Sequence, residues 1–316
     1  MKILITGAAG DIGTRLVKVF SERPDTNLYT TDLTALPHHA NSIHKAFDIR
    51  SDQFMNWVKT IKPDVIIHLA SIVQLPKNMT LEQAHDIDVK ATDRLLAVSA
   101  QIGVRKFVIT SSGAAYGYWK DNADWLTEDM PVRGNTDYFY SSHKRQVEEI
   151  LAKYRKNFPL LKQVILRPGT VLGPNFENPI TQMLSKNMIT GIAGSDSPFV
   201  IIWVNDLVAY LIEAATTNVE GIYNVAGDGT LSLKAIAKRL NKLYLPIPAG
   251  FLRFMLSVLK PLGLSQYGPE QVKFIEFRPV LANDKIKSVF KHQPSKSTSA
   301  AFESFLQETD KEYVKS

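Results

Sequence analysis

The chain predicts a doubly wound α/β fold: a parallel sheet covered by helices, followed by a smaller lobe. Three observations carry that prediction. Short apolar runs alternate with stretches of helical periodicity through the first two-thirds of the 316 residues. The first run, Ile3-Leu4-Ile5, breaks into a glycine-rich turn and then an apolar-periodic stretch. The chemically suggestive clusters all fall at the carboxyl ends of the expected strands, where open α/β sheets build their sites.

The expected strands are Ile3–Thr6, Leu28–Thr31, Val65–Leu69, Lys106–Thr110 and Val164–Arg167, with one more ahead of Asp48. Between them, Gln53–Ile61, Thr80–Ile102 and Tyr140–Asn157 have helical periodicity. After the first strand, Ile12, Leu16, Val17 and Phe20 recur at helical spacing, so the order is strand, turn, helix. Strand–helix–strand alternation demands crossovers and hence parallel strands. From about Pro174 the pattern loosens into short strands (Val200–Val204, Gly221–Val225) and helices (Asp206–Ala215, Leu233–Leu243). Residues 1–173 therefore form the main domain, with 200–230 partly returning to it, and 174–316 the smaller lobe. Pro246–Leu262 is crowded with apolar side chains and reads as core or a lid. A membrane-surface helix is disfavoured, because only Arg253 and Lys260 bring charge to it.

Composition narrows the function classes. At 45% apolar content the chain can bury a large core. The net charge of +6 is spread over interleaved Lys and Arg, which argues against nucleic-acid binding. The chain has no cysteine, so disulfides, thiolate metal sites and cysteine nucleophiles are excluded. No stretch approaches the roughly 20 apolar residues that span a bilayer, and a cytoplasmic protein is expected.

Two segments point to chemistry. In Gly7-Ala8-Ala9-Gly10-Asp11-Ile12-Gly13, Gly7 permits the tight turn, Gly10 lets backbone approach a pyrophosphate, and Gly13 lets helix pack on strand. The loop amides and the positive helix end then face phosphates. Asp32 follows 19 residues after Gly13 (32 − 13), ending the second strand. A carboxylate there accepts from ribose hydroxyls and repels a 2′-phosphate, so NAD is expected over NADP. The second segment, Tyr140-Ser-Ser-His-Lys144, puts a phenol and an ammonium on one helix face. A dinucleotide cradle with such a pair suggests hydride transfer with tyrosine as acid/base.

Thr-Gly-x-x-Gly-x-x-Gly at 6–13, Ser111-Ser112 before Tyr116-Gly117, Tyr-x-x-x-Lys at 140–144, Leu166–Pro174 and Gly221–Val225 occur in that order. In this the chain resembles the extended short-chain dehydrogenase/reductase superfamily, and within it the NAD-dependent epimerase/dehydratase group. The resemblance implies a Rossmann domain with Tyr140 as general acid/base and Lys144 stabilising the phenolate and binding the nicotinamide ribose. It implies that Ser112 bonds the reacting oxygen, with Ser111 one register away. Tyr116 and Lys120 form a second pair of the same spacing, set aside because Gly117 and Trp119 suit a loop. Asp48 and Ile49 match an adenine-contacting pair, and Leu69, Ala70, Ser71 and Pro168 match segments lining the cofactor. His68 reads as structural, and no metal is expected. A homodimer is implied through helices 88–102 and 140–157, whose apolar residues include Leu95, Leu96, Val98, Val147, Ile150 and Leu151.

Two departures bear on substrate. The stretch 197–206 is apolar where sugar-nucleotide enzymes carry an arginine clamp, and Asp88-Val89 stands where Asn-Val is frequent. Both favour an NAD-dependent oxidoreductase acting on an apolar secondary alcohol or ketone. A nucleotide-sugar epimerase or dehydratase is the alternative, and a catalytically inactive NAD-binding regulator the third reading. The substrate pocket is expected from Thr170, Val171, Phe199, Ile201, Trp203 and side chains of Pro246–Leu262. Arg253, Lys260 and above all Arg278 are the cations available for a phosphate.

Overall fold

The structure is a computed structural model and describes residues 1–39, 41–265 and 268–309. Its main sheet has seven parallel strands: β1 (Lys2–Thr6), β2 (Asn27–Asp32), β3 (Ser42–Ala46), β4 (Val65–His68), β5 (Lys106–Thr110), β6 (Lys162–Pro168) and the later β10 (Gly221–Val225). Their order is β10-β6-β5-β4-β1-β2-β3. Every pairing is parallel, so all carboxyl ends lie on one edge. The sheet's strand interiors are apolar on both faces because helices cover both.

One face carries α1 (Asp11–Ser21), α7 (Val204–Thr216) and α11 (Asp284–Val289), which bury Leu16, Val17, Phe20, Leu207, Leu211 and Ile286 against it. The other carries α2 (Asp52–Ile61), α4 (Ala91–Ile102) and α5 (Phe139–Asn157). Local signals set the helix ends. Ser51 caps α2 by accepting from the Phe54 N–H. The short α3 (Leu81–His85) opens on a Thr80/Gln83 capping box and runs through a π-helical turn, Asp86–Lys90, into α4. Gly103, at φ +74°, ends α4 in the left-handed conformation that glycine adopts freely.

The lobe holds two small parallel ribbons, β7 (Thr170–Leu172) with β9 (Ile201–Trp203), and β8 (Met188–Ile192) with β11 (Leu243–Ile247). Around them lie α6 (Pro179–Leu184), α8 (Leu233–Arg239), α9 (Ala249–Leu259), α10 (Lys273–Glu276) and α12 (Thr298–Glu308). The helix expected over 233–243 stops at Arg239. Asn241 turns the chain at φ +54°, and Leu243–Ile247 goes on as strand β11. Of the apolar residues expected at a two-fold interface, Leu95, Leu96, Val98, Val147 and Leu151 are buried in the core of one chain, and Ile150 packs partly against them and stays partly exposed.

Candidate active site

Tyr140 and Lys144 sit one turn apart at the start of α5. Ser141, between them, donates to the Ala114 carbonyl at 2.6 Å and accepts from the Asn135 N–H at 3.0 Å. That pins the helix start against the short turn Gly113–Tyr116 that follows β5. The pin brings Ser112 to the Tyr140 phenol as its hydrogen-bond partner. Lys144 Nζ donates to the Thr110 carbonyl at 3.1 Å and lies 5.5 Å from the centroid of the Tyr140 ring. Three elements thus converge at the carboxyl edge of β5.

Burial pushes the Tyr140 phenol up to about 12; the Ser112 hydrogen bond acts against that shift and the Asp88 carboxylate with it. The phenol therefore rests neutral, in the proton-donating form. The Lys144 ammonium bonds the Thr110 carbonyl and flanks the Tyr140 ring. Burial pulls Lys144 down, opposed by the carboxylates of Asp88 and Glu148.

The rival residues have other roles. Ser111 donates to the buried Glu148 at 2.5 Å. The Tyr116 hydroxyl lies 2.6 Å from Arg167 Nη1 and 2.9 Å from both the Thr127 carbonyl and Asn224 Oδ1. Glu148 and Arg167 form a buried ion pair at 2.5 Å. This network ties β5, α5, β6 and β10 together behind Tyr140 and Lys144.

His68 is structural, as the sequence suggests. The Thr92 hydroxyl donates to the Asp88 carbonyl, so it accepts from His68 Nε2–H at 2.9 Å; Nδ1 then accepts from Thr6 at 2.7 Å. Burial holds this imidazole down near 3. No cluster of metal-ligating side chains occurs among the described residues.

The glycine loop fits a dinucleotide. Gly7 has φ +68°, and a Cβ there would stand 2.6 Å from the Ala70 nitrogen; at Gly13 one would stand 2.3 Å from the Gly7 carbonyl oxygen. The loop is thus close-packed against Leu69-Ala70. Gly10 precedes α1, and no side chain caps that helix start, which leaves its amides and dipole end directed at the sheet edge. Ala9 donates its N–H to Asp32 Oδ2 at 3.0 Å, and Thr34 donates to Oδ1 at 3.1 Å. Asp32 braces the loop and stands at its rim. Ser71 Oγ is buried without a hydrogen-bond partner in a small cavity it shares with Lys144 and Asp88. Burial raises Asp11 at the head of α1, and Ile12 packs partly on the core. Asp48 is engaged by Arg50 at 2.6 Å and held down by it, while the Ile49 side chain joins the core. Pro168 ends β6 opposite Val225.

Among the expected substrate residues, Thr170 and Arg278 meet: Arg278 Nη2 lies 3.4 Å from Thr170 Oγ1, with the guanidinium 3.8 Å from the centroid of the Phe199 ring. Val171 packs toward the main core. Phe199, Ile201 and Trp203 are 2%, 1% and 3% exposed in the lobe core, so they do not line an open pocket; Phe199 offers only the ring beneath Arg278. Arg253 and Lys260 are paired with Glu276 and Glu270. Burial pulls the Arg278 guanidinium down; the neutral phenols of Tyr118 and Tyr138 lie near it, its Nη1 lies 3.4 Å from the Phe274 carbonyl oxygen, and it forms no ion pair with a described carboxylate.

Two features escaped the sequence. Tyr118, Tyr138 and Phe274 form an aromatic cluster, with Tyr138 4.1 Å from Phe274 and 6.2 Å from Tyr140, centroid to centroid. Phe274 sits in a four-residue helix that no periodicity marks. The second is a buried pair at 2.8 Å, Asp88 with His143; the sequence marks Asp88 as a departure and His143 as part of the Tyr140–Lys144 segment, but not their pairing.

The model of the NAD dependent epimerase/dehydratase family matches residues 3–226. An N-acetyl-alpha-D-glucosaminyl-diphospho-ditrans,octacis-undecaprenol 4-epimerase of Escherichia coli O157:H7 is 24% identical over 291 residues, 87% of this chain and 85% of that protein. An uncharacterised Mycobacterium tuberculosis protein is 21% identical over 311 residues, 96% of this chain and 83% of the other. Among solved structures, the UDP-glucose 4-epimerase of Thermotoga maritima with UDP-glucose superposes with a TM-score of 0.75 at 17% identity, covering 98% of each chain. The fold is that of these enzymes, the family match covers the glycine loop, the Tyr/Lys helix and β10, and this chain belongs to the NAD-dependent epimerase/dehydratase family of enzymes.

Proposed function

We propose that this enzyme interconverts or dehydrates a hexose linked through a diphosphate, using NAD as a transient hydride store. The observation that carries the reading is Arg278. It is a partly buried cation, stacked on Phe199 beside Thr170 and near the neutral phenols of Tyr118 and Tyr138, the latter ring 6.2 Å from that of Tyr140, and it pairs with no described carboxylate. A desolvated guanidinium without a carboxylate is costly unless an anion completes the site, and a bidentate phosphate suits its planar fork. The named epimerase relatives act on sugars carried on diphosphates, which supports the same reading.

In this reading NAD, when bound along the glycine loop with Asp32 at its adenosine ribose, supplies reversible hydride transfer. The chain's residues do the rest. Ser112 holds the reacting sugar oxygen beside the phenol. Tyr140 takes the hydroxyl proton as a base and returns it as an acid. Lys144 supplies the positive charge that the phenolate needs. Because one oxygen is handled twice, a rotated keto intermediate gives an epimer without net redox.

The test is calorimetry with UDP and UDP-glucose on wild type and Arg278→Ala, alongside NADH release. Micromolar binding lost in Arg278→Ala, with turnover that releases no NADH, is expected. Stoichiometric NADH release from a simple alcohol, with no UDP binding, would replace this reading with the net oxidoreductase.

A further inference from the structure

We propose that the α8–β11–α9 segment of the lobe is a docking surface for an anionic phospholipid bilayer. The inference stands apart from the substrate reading, because it rests on a surface outside the active site.

The first observation is a helix with no fully buried residue. α9 is an 11-residue apolar helix with no buried residue. Phe251, Phe254 and Val258 are 56%, 66% and 46% exposed, at the i, i+3, i+7 spacing of one helix face. Leu262 and Leu264 continue the exposure at 65% and 72%. Upstream, the β8–β11 ribbon presents Met188 in register with Leu243, and Leu245 two residues on, all exposed. Only Pro248 separates ribbon from helix. Contiguous exposed apolar area of this kind marks a surface that something covers.

The second observation says what covers it. From Gly229 to Pro269 the chain holds six cations, Lys234, Lys238, Arg239, Lys242, Arg253 and Lys260, and no Asp or Glu. Arg239, Arg253 and Lys260 are answered by Glu303, Glu276 and Glu270. Lys234, Lys238 and Lys242 form no ion pair with any described carboxylate; Lys242 Nζ donates to the Leu184 carbonyl at 2.8 Å. An apolar helix face flanked by acid-free basic sequence is complementary to an anionic lipid surface. The charge overlooked when only Arg253 and Lys260 are considered comes from α8 and the turn into β11. No described helix is long and apolar enough to cross a membrane, so the segment lies on the bilayer. α9 is joined to the active-site mouth through Arg253–Glu276 and the neighbouring Phe274, which packs on Tyr138. Docking through α9 holds that mouth beside the lipid.

The test uses the full chain and sedimentation with vesicles of phosphatidylcholine alone or enriched in phosphatidylglycerol. Binding to the anionic vesicles, weakened by salt, is expected. Phe251→Ser/Phe254→Ser should reduce it by at least about tenfold. Lys234→Gln/Lys238→Gln/Lys242→Gln should weaken it and remove the salt dependence. All five side chains lie outside the core, and an unchanged urea transition checks that each variant folds. Absence of binding to anionic vesicles, or equal binding by the phenylalanine variant, overturns the proposal. So does a lipid-free dimer that the phenylalanine variant dissolves, since the face then belongs to a second copy of the chain.

Discussion

Two tyrosines in this chain precede a lysine by four residues, and removing each hydroxyl should leave opposite signatures. Tyr116→Phe deletes an oxygen held by Arg167 at 2.6 Å, the Thr127 carbonyl and Asn224, all behind the site. A lost bond to a charged group plus buried partners left unpaired costs roughly 2–4 kcal/mol of stability. The rate should change little. Tyr140→Phe deletes a phenol bonded to the part-exposed Ser112, so stability should move by less than about 1 kcal/mol. Turnover should fall by roughly 10²–10⁴, the usual worth of a positioned acid/base. Urea unfolding and turnover on the two variants supply the four numbers. A Tyr116→Phe enzyme that is stable but inactive, beside a Tyr140→Phe enzyme that still works, would refute the assignment.

Three further outcomes follow from other groups. Replacing Asp32 with Ala removes the carboxylate at the loop rim, so NAD should bind more weakly and the discrimination against NADP should shrink; equal NAD and NADP binding by wild type would remove its selectivity role. His68 is held near 3 against an ordinary 6.5. Below about pH 6.5 the unfolded chain takes a proton the folded chain refuses, so stability should fall as pH drops toward 3. His68→Gln should flatten that slope in urea titrations, and an unchanged slope would contradict the neutral-imidazole assignment. Asp88→Asn keeps an acceptor for the Ile72 N–H but removes a negative charge that raises both Tyr140 and Lys144. The alkaline limb of kcat/KM should move to lower pH, and a limb that stays put would sever Asp88 from the catalytic pair.

The main sheet was legible because its signals are local. A strand buried on both faces reads as an apolar run, and a glycine turn into a helix leaves a fixed spacing, so β1, β4 and β5 lie where the alternation put them. The lobe was less legible. β8 and β11 are short, pair with each other across some fifty residues, and resemble helix or loop when read alone. In the site, the Tyr140/Lys144 spacing is written into one helix, whereas the partners that define it are brought by tertiary contact. Whether Ser111 or Ser112 faces the phenol depends on Glu148, on another element, claiming Ser111. Arg278 gains its setting from Thr170 and Phe199, both remote in sequence.

The two departures that spoke against a nucleotide-linked sugar prove to be about packing. Asp88, in place of the family's usual asparagine, accepts from the Ile72 N–H at 2.7 Å through one oxygen and meets His143 at 2.8 Å through the other. A carboxylate at that place needs a polar partner when buried, and the helix that carries Lys144 supplies one. The substitution is answered inside the main domain, away from the lobe. The apolar stretch at 197–206 is likewise accounted for by the fold. Phe199, Ile201 and Trp203 fill the lobe core, and Asp206 at its end is buried against His292 and Ser295. The stretch is apolar because it is a strand in a core, and it says little about the ligand. In the proposed reading the ligand is met by the chain that returns from far downstream, where Arg278 joins Thr170 and Phe199. An arginine met in sequence beside Pro279 carries little weight; partly buried on the Phe199 ring beside Thr170, it becomes the strongest argument for the proposed anionic substrate.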